Sequence, residues 1–304
     1  MEKSLFSIII VNWNGCELLR NCLNSISKSN PDGNYEIIVV DNASNDNSVA
    51  MVKKDFPDVI LIENLENLGF ARATNIGIKA SRGNIILLLN SDAELKTENT
   101  FEKVEHFFSK HSEVGILGTN LIFPDGVPQA PGGKFMSNWE LFKQQILFLD
   151  SPLFHRVKNK LRASTDNQFY DIDYVSGACL FVRKKVIDEI GMLEESFFMY
   201  GEDMELCYRA QKNGWRRVIL LQIEVIHLKS QSIKKNLEEI FAHGIKNNCY
   251  LIQKFHGKTH ALLAHLIYAV GLLIRFFLAF VRKDNKPVSY LKLISKNFKL
   301  CFSY

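Results

Sequence analysis

Short apolar runs alternate with helically spaced apolar positions along the first 120 residues. Leu5 to Val11 is rich in β-branched residues and stops at Asn12-Trp13-Asn14-Gly15, which predicts a strand ending in a polar loop. Cys16 to Lys28 places Leu18, Leu19, Cys22, Leu23 and Ile26 at helical spacing. A turn at Asn30-Pro31-Asp32-Gly33 leads to a second buried strand, Tyr35 to Val40, ending at Asp41-Asn42. A helix opens within Ser44 to Ser48 and runs to Phe56, Val59 to Ile62 supplies a third strand, and a further helix covers about 70–81. The run Ile85-Ile86-Leu87-Leu88-Leu89 is too short for a helix and has no polar face, so it reads as a strand covered on both sides. This alternation implies an α/β fold with a doubly wound, mostly parallel sheet and right-handed crossovers.

The pattern continues with a helix from Thr100 to Ser109 and a strand at Val114 to Gly118, then loses its period over 120–170, where Pro124, Pro128, Pro131 and Pro152 fall. It resumes with a strand over Asp173 to Arg183, a helix over Lys184 to Glu189 and an apolar stretch from Val218 that ends at His227. A body over 1–232 and a helical extension over 233–304 follow from this change in pattern. In the extension, Ala261 to Ile274 is apolar except for His265, and Arg275 precedes Phe276 to Val281. These two interruptions favour a helix lying at a membrane surface over one that spans it, with a buried bundle helix as the competing reading. Lys254, Lys258, Arg282, Lys283 and Lys286 flank the stretch, which suits an anionic leaflet.

Charge sharpens that division. Lys229 to Tyr304 carries 13 Lys/Arg against 3 Asp/Glu, a net of +10, while the preceding residues carry a net of −6. Hydrophobic residues at 47% and charged residues at 23% exclude a disordered chain and a polytopic membrane protein. Nucleic acid is not an expected partner, because no recognised binding motif accompanies the basic tail. The six cysteines show no metal-ligand spacing, and the first residues lack a signal-peptide pattern, so a cytoplasmic location is expected.

The candidate chemistry lies at element ends. Asn90-Ser91-Asp92-Ala93-Glu94 follows a buried strand, and ligands of open α/β sheets bind outside the carboxyl ends of the strands. Asp92 and Glu94 there offer hard oxygen ligands for Mg2+ or Mn2+ carrying a diphosphate; the competing reading is that Asp92 caps the next helix. The loop after the first strand has one glycine where a dinucleotide fingerprint needs three, and no phosphate-cradling G-x-x-x-x-G-K-[ST] occurs. Asp41 is placed to accept from a ring N–H or a ribose hydroxyl, or to form an Asx turn. Arg72 lies in the first turn of a helix behind Gly69, where a cation opposes the helix dipole and wants an anionic partner. Glu202, Asp203 and Glu205 open a helix after Phe197 to Gly201; a sheltered carboxylate there suits a general base, although capping explains some of the acids. His227 is a structural imidazole or a further metal ligand.

Taken in order, Val11-Asn12-Trp13-Asn14-Gly15, Asp41-Asn42-Ala43-Ser44, Gly69-Phe70-Ala71-Arg72-Ala73-Thr74-Asn75, Asn90-Ser91-Asp92 and Gly201 to Arg209 resemble the inverting glycosyltransferases of family 2, in a rhamnosyltransferase-like subgroup. The resemblance covers about 4–232 and implies a GT-A fold, a nucleotide-diphosphate sugar donor, a saccharide or lipid-linked acceptor, and a role in surface polysaccharide or glycolipid assembly at the inner face of the cell membrane. It implies donor contacts from Asn12, Asp41, Arg72, Asn75 and Asp92, and Asp203 as catalytic base. Glu202, Glu205 and Arg209 would stand near the acceptor or support the residues that do, and segment 120–170 would face it. The metal set would be Asp92 with Glu94 or His227, because the usual Asp-x-Asp is here Ser91-Asp92-Ala93-Glu94. The competing functions are a non-catalytic nucleotide-sugar-binding membrane scaffold and a sugar-nucleotidyltransferase.

Overall fold

The computed structural model describes residues 5–30, 33–147, 168–228, 237–281 and 287–301. The leader reading at residues 1–4, the second half of the irregular segment, and the basic residues Arg282, Lys283 and Lys286 lie outside them. The described chain forms two compact units, one of residues 5–133 with 168–228 and one of 134–147 with 237–301.

In the first unit, β1 (Phe6–Asn12), α1 (Cys16–Ser29), β2 (Tyr35–Asp41), α2 (Ser48–Asp55), β3 (Ile60–Glu63), α3 (Phe70–Ala80) and β4 (Ile85–Leu89) follow one another as the periodicity predicts. The apolar run at Ile85 is buried at all five positions, because β4 lies between β1 and another strand with helices on both faces. Then come β5 (Ala93–Leu95), α4 (Thr100–Lys110), β6 (Val114–Ile122), β7 (Gly132–Gly133), β8 (Phe169–Asp171), β9 (Tyr174–Val175), β10 (Cys179–Arg183), the helices Lys184–Ile190 and Glu202–Lys212, and β11 (Arg216–His227).

The main sheet runs in the order β3-β2-β1-β4-β10-β6-β11-β5, with β8 also paired to β11. Strands β3, β2, β1 and β4 are parallel, and β6 is parallel to β11. This is the doubly wound, mostly parallel sheet that the alternation of elements implies. The strand expected over Asp173 to Arg183 is two: β9 leaves the main sheet to pair with β7, and β10 inserts antiparallel between β4 and β6. The break falls at Ser176-Gly177-Ala178, at the carboxyl end of β4.

One aromatic cluster anchors the core beneath the sheet. Phe6 stacks on Phe101 with centroids 4.8 Å apart, and Phe181 meets Phe6 edge-on at 6.3 Å. These contacts join β1, α4 and β10, so burial of three large rings fixes the first and last strands of the site against each other.

In the second unit, the helix Lys258–Val281 packs against Asn138–Gln145, Leu237–His256 and Pro287–Cys301. It is long and apolar enough to cross a membrane. Its two polar interruptions turn inward: His265 is buried beside Asn297, and Arg275 donates to the carbonyls of Gln145 and Gly271 at 3.0 and 3.1 Å. They therefore leave the outward stripe of Leu262, Leu266, Val270, Leu273, Phe277 and Phe280 unbroken and exposed.

Candidate active site

The carboxyl ends of the parallel strands meet in one row. Asn12 and Asp41 are paired residues of β1 and β2, and both are buried. Asp41 accepts from Asn12 Nδ2 at 3.0 Å, from the Ser44 amide at 2.8 Å and from Ser44 Oγ at 2.6 Å. The turn reading of Asp41 is thus present in the structure, and Oδ2 keeps acceptor capacity beyond it. Asn12 Oδ1 is buried with no hydrogen-bond partner among the described residues, and a Cβ on Gly15 would come within 3.1 Å of it. Asn14, Ala43 and Tyr200 adopt left-handed φ values of 52°, 58° and 68° around this edge, and strain of that kind concentrates at functional sites.

Asp92 leads into the strand β5, so it does not cap a helix. Its backbone carbonyl accepts from Leu228 N at 3.0 Å, and its Oδ1 lies 3.3 Å from His227 Nε2. Antiparallel pairing sets Ala93 opposite His227 and Glu94 opposite Ile226. Neighbouring pairs face opposite sides of a sheet, so Glu94 points away from His227 and lines a cleft with Asn21, Asn24 and Lys28 of α1. Glu94 therefore does not join Asp92, and the candidate metal pair narrows to Asp92 and His227.

That pair fits a divalent cation as part of a larger shell. Cis ligands of an octahedral Mg2+ or Mn2+ stand about 3 Å apart, close to the 3.3 Å found here. No group of three His, Cys, Asp or Glu is placed to hold a metal among the described residues. Two protein ligands leave positions for water and substrate oxygens, as is common for Mg2+.

Asp203 is the second residue of the helix Glu202–Lys212, behind Gly201 with φ 109°. Its Oδ2 accepts from Gly177 N at 3.0 Å and its Oδ1 from Met204 N at 2.7 Å. The next residue, Ala178, offers its carbonyl to Asn90 N at 3.1 Å. Two adjacent residues in the break before β10 thus tie Asp203 to the Asn90–Asp92 strand end. Glu202 is buried, with Oε2 lacking a partner among the described residues. Desolvation, with Asp203 beside it, pushes the Glu202 carboxyl up to about 8. Desolvation also raises Asp203, but backbone N–H groups favour its charged form. Only Asp203 has amides from other residues, Gly177 and Met204, bonded to its carboxyl oxygens, so it is the better placed of the two to hold a negative charge.

Other expected residues serve the scaffold. Asn75 spends its amide on Leu193 and Glu195: Nδ2 donates to Leu193 O at 2.9 Å and to Glu195 Oε1 at 3.0 Å, and Oδ1 accepts from Leu193 N at 3.0 Å. It pins the loop before Tyr200 rather than a donor. Glu205, fully buried, takes Arg209 through Nε at 2.8 Å and Nη2 at 2.8 Å, and Arg209 also caps the Met192 carbonyl at 2.7 Å. This clamp docks the helix that carries Asp203 on the 190–192 turn, the supporting one of the two roles expected of these residues. Arg72 is exposed, 3.8 Å from Glu195 in a pair that solvent screens. The sequence reading missed the Gly177-Ala178 junction and Gln129, whose Oε1 lies 3.1 Å from His227 Nδ1; Gln129 lies in the aperiodic Pro-rich segment, where no spacing marks it.

The sequence model for Glycosyl transferase family 2 matches residues 7–191. This chain belongs to that family. A low-salt glycan biosynthesis hexosyltransferase of Haloferax volcanii is 29% identical over 212 residues, covering 68% of this chain and 62% of the relative. An N-acetylglucosaminyl-diphospho-decaprenol L-rhamnosyltransferase of Mycobacterium tuberculosis is 24% identical, covering 73% of this chain and 76% of its own. Several curated relatives are longer, so the chain spans less than two thirds of them. The fold of a Pyrobaculum calidifontis mannosyltransferase, solved with GDP-Man and Mn2+, superposes with a TM-score of 0.57 at 13% identity, over 99% of this chain and 86% of that one.

The raised Glu202 has a consequence for family-fold stability. From about pH 5 to about pH 8 the native protein retains a proton that the unfolded chain releases, so the unfolding free energy falls as pH rises. Melting curves across that range should show a declining Tm for the wild type and a flatter profile for Glu202→Gln, which gains about 5 °C on the wild type at the alkaline end. Parallel profiles would refute the assignment.

Proposed function

We propose that this chain transfers a sugar from a nucleotide-diphosphate donor to a hydroxyl of a saccharide or lipid-linked acceptor, inverting the anomeric centre, in surface glycan assembly. The observation that carries the reading is the Gly177-Ala178 junction, whose amide and carbonyl tie the half-buried Asp203 carboxyl to the strand end bearing Asp92. Family membership and relatives named as hexosyl- and rhamnosyltransferases support it.

In this reading Asp203 takes the acceptor hydroxyl's proton while the oxygen attacks the anomeric carbon, and one displacement inverts the configuration. The Gly177 and Met204 amides aim the carboxylate. Neutral Glu202 avoids a second negative charge beside it. Asp41 and Asn12 hold the nucleoside end, and exposed Arg72 at the start of α3 binds the diphosphate. Mg2+ or Mn2+ held by Asp92 and His227, as Mn2+ accompanies GDP-Man in the Pyrobaculum structure, would supply electrostatic stabilisation to the leaving diphosphate. A catalytic body over 1–232 acts with an extension over 233–304 that rests on the inner face of the cell membrane, its outward apolar stripe in the lipid and basic residues such as Lys258 at the anionic headgroups.

Asp203→Asn should keep donor affinity and lose transfer by 10²-fold or more, about the contribution of a general base; isothermal titration with donor and product release in paired assays check this, and unimpaired turnover would sink the base assignment. For the membrane, the full chain should float with anionic phospholipid vesicles. A variant carrying Leu266→Glu and Phe277→Glu, both at exposed positions, should stay in the soluble fraction. Equal flotation of the two proteins would exclude the stripe as the contact.

A further inference from the structure

We infer that Gln129 is a positioning residue that holds His227 as the Nδ1–H tautomer and thereby turns the Nε2 lone pair toward Asp92. The inference deepens the metal reading and rests on it for its purpose, though not for its geometry.

Gln129 is 6% exposed, and its side chain reaches three groups. Nε2 donates to Ile122 O at 3.1 Å and to His227 O at 2.5 Å. The other end, Oε1, stands 3.1 Å from His227 Nδ1. The amide has one possible orientation: an oxygen turned toward two backbone carbonyls would meet acceptors on both sides, so the NH2 group must face them. Oε1 then has to receive a proton from Nδ1. A neutral imidazole with Nδ1–H carries its lone pair on Nε2, which lies 3.3 Å from Asp92 Oδ1 and 3.4 Å from Asn90 Nδ2. In the neutral ring the Nε2 lone pair and the Asp92 carboxylate then face one gap, which a metal cation, or failing that a second proton on Nε2, would bridge. The backbone carbonyl of His227 and its ring bond to the same amide, so ring orientation and tautomer are set together. Outer hydrogen bonds of this kind typically change metal affinity by about 10–100-fold.

The test uses the full chain. Long-range 15N–1H correlation spectra of histidine-labelled protein without metal report the tautomer, and Mn2+ titration followed by EPR reports affinity. The wild type should show Nδ1–H at His227, and Gln129→Met should shift it toward Nε2–H and weaken Mn2+ binding about 10-fold or more. An Nε2–H tautomer in the wild type overturns the inference even if Gln129→Met fails to fold. Unchanged tautomer and affinity in a folded Gln129→Met overturn it as well. A wild type with Nδ1–H that binds no Mn2+, with or without nucleoside diphosphate, instead overturns the metal reading and leaves the tautomer assignment standing.

Discussion

Burial of a mostly parallel sheet on both faces forces its polar business to the strand ends. Ile8 to Val11, Ile37 to Val40 and Ile85 to Leu89 are apolar, so every carboxylate and amide at the carboxyl edge beyond them must find donors or acceptors within that edge or from a ligand. Asp41 finds Asn12 and Ser44, Asp203 finds the Gly177 amide, and His227 finds Gln129. Asp92 meets His227, Asn12 Oδ1 has no partner among the described residues, and Arg72 stays in solvent. Satisfied groups build the frame, and the remaining capacity falls where donor binding is proposed.

The break at Ser176-Gly177-Ala178 shows how the frame gathers distant parts of the sequence. Strand β10 runs antiparallel beside β4, so the residues just before it lie at the end of β4. One amide and one carbonyl there bind Asp203 and Asn90, residues 113 positions apart in the chain. Continuous strand pairing could not make both contacts.

Much of this was legible in the sequence. Apolar runs with polar stops located β1, β2 and β4, and the same stops named Asn12, Asp41 and Asp92, because side chains just past a buried strand have few places to go. Asp203 was legible from acids clustered at a helix start. Glu94 was misplaced because alternation across β5 depends on its pairing with β11, which periodicity over three residues cannot reveal. Asn75 is expected at the donor but spends its amide on Leu193 and Glu195, 118 and 120 positions away, a pairing that no motif records. His265 and Arg275 looked like breaks in an apolar stripe until the helix's inward face was known.

Asp92 and His227 are proposed to share one divalent cation at the diphosphate. A crystal structure of the full chain with Mn2+ and a nucleoside diphosphate, phased to show anomalous scattering, addresses it directly. The expected result is a peak within coordination distance of both Asp92 Oδ1 and His227 Nε2. A bound diphosphate with the ion elsewhere, or with Glu94 in place of His227, would contradict it.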